Sequence, residues 1–214
     1  MPRLCGRALG LVAASMVLLA SAGHAGEEPK RGGSAIVVIG ADPAILNPNV
    51  TVGVPDVLTG CMLYDGLVRF AEGFRIVPSL AKRWEIGADG LTYTFHLVTA
   101  NWSDGQPLTS DDKYTLLEVS SKYGSKFVAP GKPIKDIETP DAQTVVVTLS
   151  KPFGPFLFSL ACEQNAAILP AHIFRRSDIF KHPASLAKPI GAGPFQLTEW
   201  VRGDHLTLVR NPNY

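Results

Sequence analysis

Between Trp84 and Leu97, apolar and polar side chains alternate on both sides of Ala88-Asp89-Gly90. A period of two sends successive side chains to opposite faces of a strand, so this stretch reads as a hairpin with one buried face. Ile134 to Glu138 and Thr144 to Leu149 form another strand pair around Pro140-Asp141. Leu67 to Phe70 and Phe74 to Val77 flank a turn at Glu72-Gly73. Phe195 to Trp200 and Leu206 to Arg210 make a last hairpin after the Gly191-Ala192-Gly193-Pro194 turn. Ser34 to Gly40 is β-branched and bounded by glycines, which predicts a buried strand, and Ala167 to Leu169 reads as a short apolar one.

Helical signals lie between these strands. Pro55 suits a first helical turn with Asp56 near its positive end, and the pattern predicts burial of Val57, Leu58, Cys61, Met62 and Leu63. Thr109 or Ser110 can cap a helix reaching to about Tyr123, with Asp111 and Asp112 in its first turn. Phe153 to Leu160 reads as partly helical, and Pro170 to Phe174 opens another helix. The mixture is α/β or α+β. Hydrophobic residues at 46% and charged residues at 18% describe a globular chain rather than a disordered polyelectrolyte. Twenty basic against nineteen acidic side chains leave no electrostatic footprint for nucleic acid.

The first 25 residues stand apart. Arg3 and Arg7 precede an apolar run from Ala8 to Ala20, followed by the small residues up to Ala25. A basic start, a short apolar middle and a small residue before the cut form a secretory signal, predicted to be cleaved after Ala25. The run is too short to cross a hydrocarbon core of about 30 Å. Two cysteines, Cys61 and Cys162, follow the leader. In an oxidising compartment they can pair, or each can be a small buried hydrophobe.

No catalytic constellation stands out. There is no G-x-S-x-G elbow and no Cys/His pairing, and the five histidines have no metal-ligand spacing. No cofactor, metal or enzymatic activity is predicted. Binding chemistry is better represented, because Trp102, Tyr123, Phe127, Gln164, Asn165 and Trp200 fall near expected element ends.

Several motifs together resemble the family 5 extracellular solute-binding proteins. They include Leu46-Asn47-Pro48, Gly53-Val54-Pro55, Tyr64-Asp65-Gly66-Leu67, Pro78-Ser79-Leu80-Ala81 and Trp84-Glu85. Asp89 to Leu97, Trp102-Ser103-Asp104-Gly105, Gly191 to Phe195, Glu199-Trp200 and Leu208 to Tyr214 continue in the same order. The resemblance implies an α/β fold, a periplasmic binding protein-like (class II) mixed-sheet lobe spanning residues 26–214. Members usually run to more than twice this length, which implies an N-terminal fragment with the second lobe absent. It also implies a periplasmic, monomeric receptor that takes peptides or similar small organic solutes between two lobes. Its partner would be an ABC transporter permease in the inner membrane. The alternative is a truncated piece with no competent ligand site. The loop Val52-Gly53-Val54 is the implied backbone contact for an extended ligand, with Tyr123, Phe127, Gln164 and Asn165 as further candidates. Asp111-Asp112-Lys113-Tyr114 departs from the family pattern by one residue, a change that turns a helical face by about 100°.

Overall fold

The computed structural model describes residues 32–109, 111–123 and 134–214, so the leader, Ser110 and Phe127 lie outside the described residues. In chain order the elements are α1 (Val54–Leu63), β1 (Val68–Ala71), β2 (Arg75–Pro78), β3 (Ala81–Ile86) and β4 (Thr92–Leu97). There follow α2 (Asp111–Tyr114), a π-helical turn (Thr115–Val119), α3 (Ser120–Tyr123), β5 (Ile134–Asp141) and β6 (Thr144–Leu149). The last are α4 (Ala171–Phe174), α5 (Pro183–Leu186), β7 (Phe195–Val201) and β8 (His205–Arg210). No helix of the described residues is long and apolar enough to cross a membrane.

The alternating segments make the main sheet, an antiparallel array in the order β3-β4-β6-β5. Phe95 pairs with Val145 and Tyr93 with Val147, so the two central strands place their apolar residues on one face. Tyr93, Phe95, Leu97, Val145, Val147, Leu149 and Ile137 are buried there over Trp102, Phe156 and Leu160. The β3–β4 turn is closed by Asp89, whose carboxylate accepts the Leu91 and Thr92 amides at 2.9 and 3.1 Å. Those amides hold its carboxyl below the usual carboxylate range. A second cluster joins Leu46, Leu63, Tyr64, Tyr114, Val119, Leu169 and Phe174, with Leu197, Trp200, Leu206 and Leu208 of the β7–β8 hairpin packed on it. The one-residue departure at Asp111 leads into a helix with an i to i+5 turn, and Tyr114, Leu116 and Val119 remain buried.

Three expectations need correction. Residues 32–39 form no strand, and Ile36 and Val38 are 96% and 91% exposed. β-branched residues express their preference only on a pleated surface with neighbours, and no described strand pairs with this one. Ala167 to Leu169 is buried but is not a strand either. Its amides are taken by the Asn49 side chain (2.9 Å), the Asp65 carbonyl (2.8 Å) and the Thr115 hydroxyl (2.9 Å).

The third correction concerns the face of α1. Asp56, Thr59, Gly60 and Leu63 are buried, Val57 and Cys61 are half-buried, and Leu58 and Met62 are 50% and 43% exposed. Two contacts on the buried side decide this orientation. Gly60 lies so close to Pro48 that a Cβ there would sit 2.8 Å from the proline ring. Asp56 lies over the amides of Ala44 and Ile45. The apolar residues of α1 therefore face outward in part.

The end of α1 meets the end of the chain. Gly193 donates its N–H to the Leu63 carbonyl at 3.0 Å, and a Cβ on Gly191 would lie 2.0 Å from that same oxygen. Asn211 holds the strand by donating its side-chain N–H to the Gly193 carbonyl at 2.8 Å. The Tyr214 hydroxyl donates to Asp65 at 3.0 Å and accepts from Arg69 at 2.9 Å. Because the atoms facing Gly191 are backbone and cannot rotate aside, Gly191→Ala should cost about 3 kcal/mol, read by urea denaturation.

Burial pushes the Asp65 carboxyl above its usual range, against the pull of the Tyr214 hydroxyl, the Gly66 amide and Arg69. The folded chain thus holds this proton more tightly than the unfolded chain. The stability linked to it is full below the ordinary carboxylate value of about 3.9 and is lost as pH rises through the raised folded value. Asp65→Asn, which cannot ionise, should gain in Tm relative to wild type as pH is raised from about 3 to about 7, in paired thermal melts.

Candidate functional site

An open depression of about 340 Å³ is lined by Val52, Val54, Val57, Leu58, Glu163, Gln164 and Asn165. One side is the start of α1 and the loop before it. The other is a single 3-10 turn, Cys162–Gln164, closed by Asn165. Val52 and Val54 are 89% and 68% exposed. Apolar side chains this exposed, grouped around a concavity with a few polar groups, are the ordinary composition of a ligand surface.

The loop is exposed yet firmly footed. Asp56 accepts the Ala44 amide at 2.6 Å through one carboxylate oxygen and the Thr51 hydroxyl at 2.5 Å through the other. The Thr51 hydroxyl oxygen in turn accepts the Gly53 amide at 3.1 Å. The Gly53 carbonyl accepts the Val57 amide at 3.0 Å, the first bond of α1. From the opposite side, Asn165 donates its side-chain N–H to the carbonyls of Pro48 and of Thr51, the latter at 2.8 Å. Asn165 holds φ +62°, a left-handed conformation that asparagine tolerates better than most residues. Thr51 and Gly53 are both extended. Between them the backbone of Val52 makes no hydrogen bond among the described residues.

Asn49 braces the same region, donating to the Ala167 carbonyl at 2.7 Å while accepting the Ala167 amide at 2.9 Å. The disulfide Cys61–Cys162 joins the two walls, with Cα atoms 5.8 Å apart.

Of the residues singled out in the sequence, Val52, Gly53, Val54, Gln164 and Asn165 come together here. Asn165 acts through the loop backbone that it holds. Tyr123 does not line the depression; its ring meets Phe180 edge-on at 5.2 Å. Trp102 is fully buried in the core. Trp200 donates its indole N–H to Asp42 at 2.9 Å under the Arg202 guanidinium. Val57, Leu58 and Glu163 were not singled out. The apolar periodicity of α1 assigns Leu58 to the core, and only the burial of Asp56 and Gly60 turns it outward.

The lobe thus sets an exposed, braced loop beside a concave, partly apolar surface. The sequence matches the family described as "Bacterial extracellular solute-binding proteins, family 5 Middle" over residues 75–214, and the chain belongs to that family. A Brucella ovis protein named as an ABC transporter peptide-binding protein is 40% identical over 148 residues, which cover 65% of this chain and 27% of that one. DdpA of Escherichia coli K12, named for D,D-dipeptide binding in the periplasm, is 33% identical over 84% of this chain and 36% of its own length. The structure of AgaA from A. tumefaciens R10, in complex with agropinic acid, is 32% identical and superposes with a TM-score of 0.70. That superposition covers 81% of this chain and 35% of AgaA. The chain thus spans about a quarter to a third of the length of these relatives.

Asp56→Ala would orphan the Ala44 amide and the Thr51 hydroxyl together. It should cost about 2 kcal/mol by chemical denaturation, a loss of the size expected when partly buried donors lose a charged acceptor.

Proposed function

We propose that residues 26–214 form the N-terminal lobe of a periplasmic substrate-binding component serving an ABC importer. The lobe contributes the Val52–Val54 edge to a site for peptides or similar small organic solutes. Residues 1–25 serve as the export signal, the receptor acts as a monomer, and a second lobe closes the cleft over the cargo. The relatives named for peptide binding and the agropinic acid complex of AgaA support this ligand class.

One observation carries the proposal. Among the described residues, the Val52 N–H and C=O have no hydrogen-bond partner, and they lie between two extended residues that are themselves locked by Asp56 and Asn165. An extended ligand pairs with such a backbone as a strand pairs with a sheet edge, and the flanking valines supply apolar contact. A rigid footing means that little ordering entropy is lost when the ligand arrives. Function here is binding, with no bond made or broken.

Thermal melts with a panel of di- and tripeptides should raise Tm, by the equivalent of about 2.7 kcal/mol where peptide stands at a hundred times its Kd. Val52→Pro removes an N–H that has no partner among the described residues, and Thr51 is already extended as a residue before proline must be. It should weaken trialanine binding about tenfold in calorimetry and leave the ligand-free Tm in place. Absence of any peptide-induced shift would favour a chain with no competent ligand site.

A further inference from the structure

The walls of the depression come from distant parts of the sequence and are tied at two points. α1 supplies Val54, Val57 and Leu58, and the turn after Ala161 supplies Glu163, Gln164 and Asn165. Cys61 lies three and four residues beyond Leu58 and Val57, which places it on the same side of the helix, one turn on. Cys162 immediately precedes Glu163. Their disulfide joins the walls directly, while the Asn165 side chain ties the second wall to the loop ahead of α1.

Beyond these ties, Asn49 anchors the chain just after the turn through its pair of bonds to Ala167. The 162–165 segment is a single turn held by two backbone bonds, from the Gln164 amide to the Ala161 carbonyl at 3.0 Å and from the Asn165 amide to the Cys162 carbonyl at 2.9 Å. The side of α1 that carries Leu58 and Met62 is half open to solvent, so the packing of helix against turn is confined to the neighbourhood of Leu63, Cys61 and Cys162. We propose that the Cys61–Cys162 disulfide is a positioning element of the ligand site. With Asn165 it sets the separation between the helix wall and the turn wall, and so the geometry in which Val52 meets a ligand. The proposal rests on reading the depression as that site.

A disulfide across a long loop also stabilises a fold as a whole by restricting the unfolded chain. The two roles differ in where they are felt. Local opening and global unfolding are separable in native-state amide exchange. The experiment compares the oxidised full chain with the Cys61→Ala/Cys162→Ala double variant and with Asn165→Gly, which keeps the left-handed backbone but removes both side-chain bonds. Positioning predicts that exchange at residues 51–58 and 162–167 rises about tenfold or more in both variants, with β4 and β6 unchanged. It also predicts that trialanine affinity falls by a similar factor in calorimetry.

A uniform rise that includes β4 and β6, or outright unfolding of the double variant, would show a purely global role and overturn the proposal. So would unchanged exchange at residues 51–58, or unchanged affinity in the double variant. A local rise in exchange without trialanine binding to the oxidised chain would instead remove the ligand reading on which the proposal stands, which keeps the two failures apart.

Discussion

The Leu63 carbonyl, at the last turn of α1, is the point on which both ends of this structure are hung. It accepts the Gly193 amide and lies so close to Gly191 that no side chain fits there. Orphan carbonyls at a helix end need partners, and here the partner is the turn before β7, which arrives more than a hundred residues later. The contact fixes where α1 stops, where β7 starts and how Tyr64 enters the second core cluster. It also sets the level at which the opposite end of α1, with Asp56 and the Val52 loop, emerges at the surface.

The motifs that make the family recognisable mostly serve this framework. Tyr64-Asp65-Gly66, Gly191 to Pro194 and Asn211 to Tyr214 converge through the Asn211–Gly193, Tyr214–Asp65 and Gly193–Leu63 bonds. Leu46-Asn47-Pro48 does similar work beneath the loop, where Leu46 donates to the Ser185 carbonyl at 2.7 Å and Pro48 abuts Gly60. None of these residues lines the depression. Motif strength in this chain mostly reports close backbone approach and buried polar pairing, while the depression is lined by residues such as Val52, Val57 and Leu58, which belong to no motif, together with Val54 of Gly53-Val54-Pro55.

That division explains what was legible beforehand. Every hairpin read from period-two alternation is present, because each needs only its neighbour in sequence to satisfy its backbone. The Val52–Val54 loop was singled out through the family resemblance, and Gln164 and Asn165 from their type and place; the structure sets them around one depression. The misreadings share one cause. Ala167 to Leu169 is bonded by the side chains of Asn49 and Thr115, so its apolar run looks like a strand without being one. The face of α1 is chosen by a carboxylate and a missing Cβ, which outweigh Leu58 and Met62 in deciding what turns inward. Ser34 to Gly40 has strand composition and no described neighbour to pair with. Tertiary polar contacts have no period, and so they leave no pattern to read.

The two walls of the depression are joined by a disulfide whose halves stand 101 residues apart in sequence. Closing a loop over such a span costs more chain entropy than closing a local hairpin, so the joining of the two walls depends on a long-range contact. On the proposed reading of the depression, a chain with an intact main sheet but no Cys61–Cys162 link would offer a poorer surface for cargo. Ligand affinity would then respond to errors that a secondary-structure spectrum would pass over.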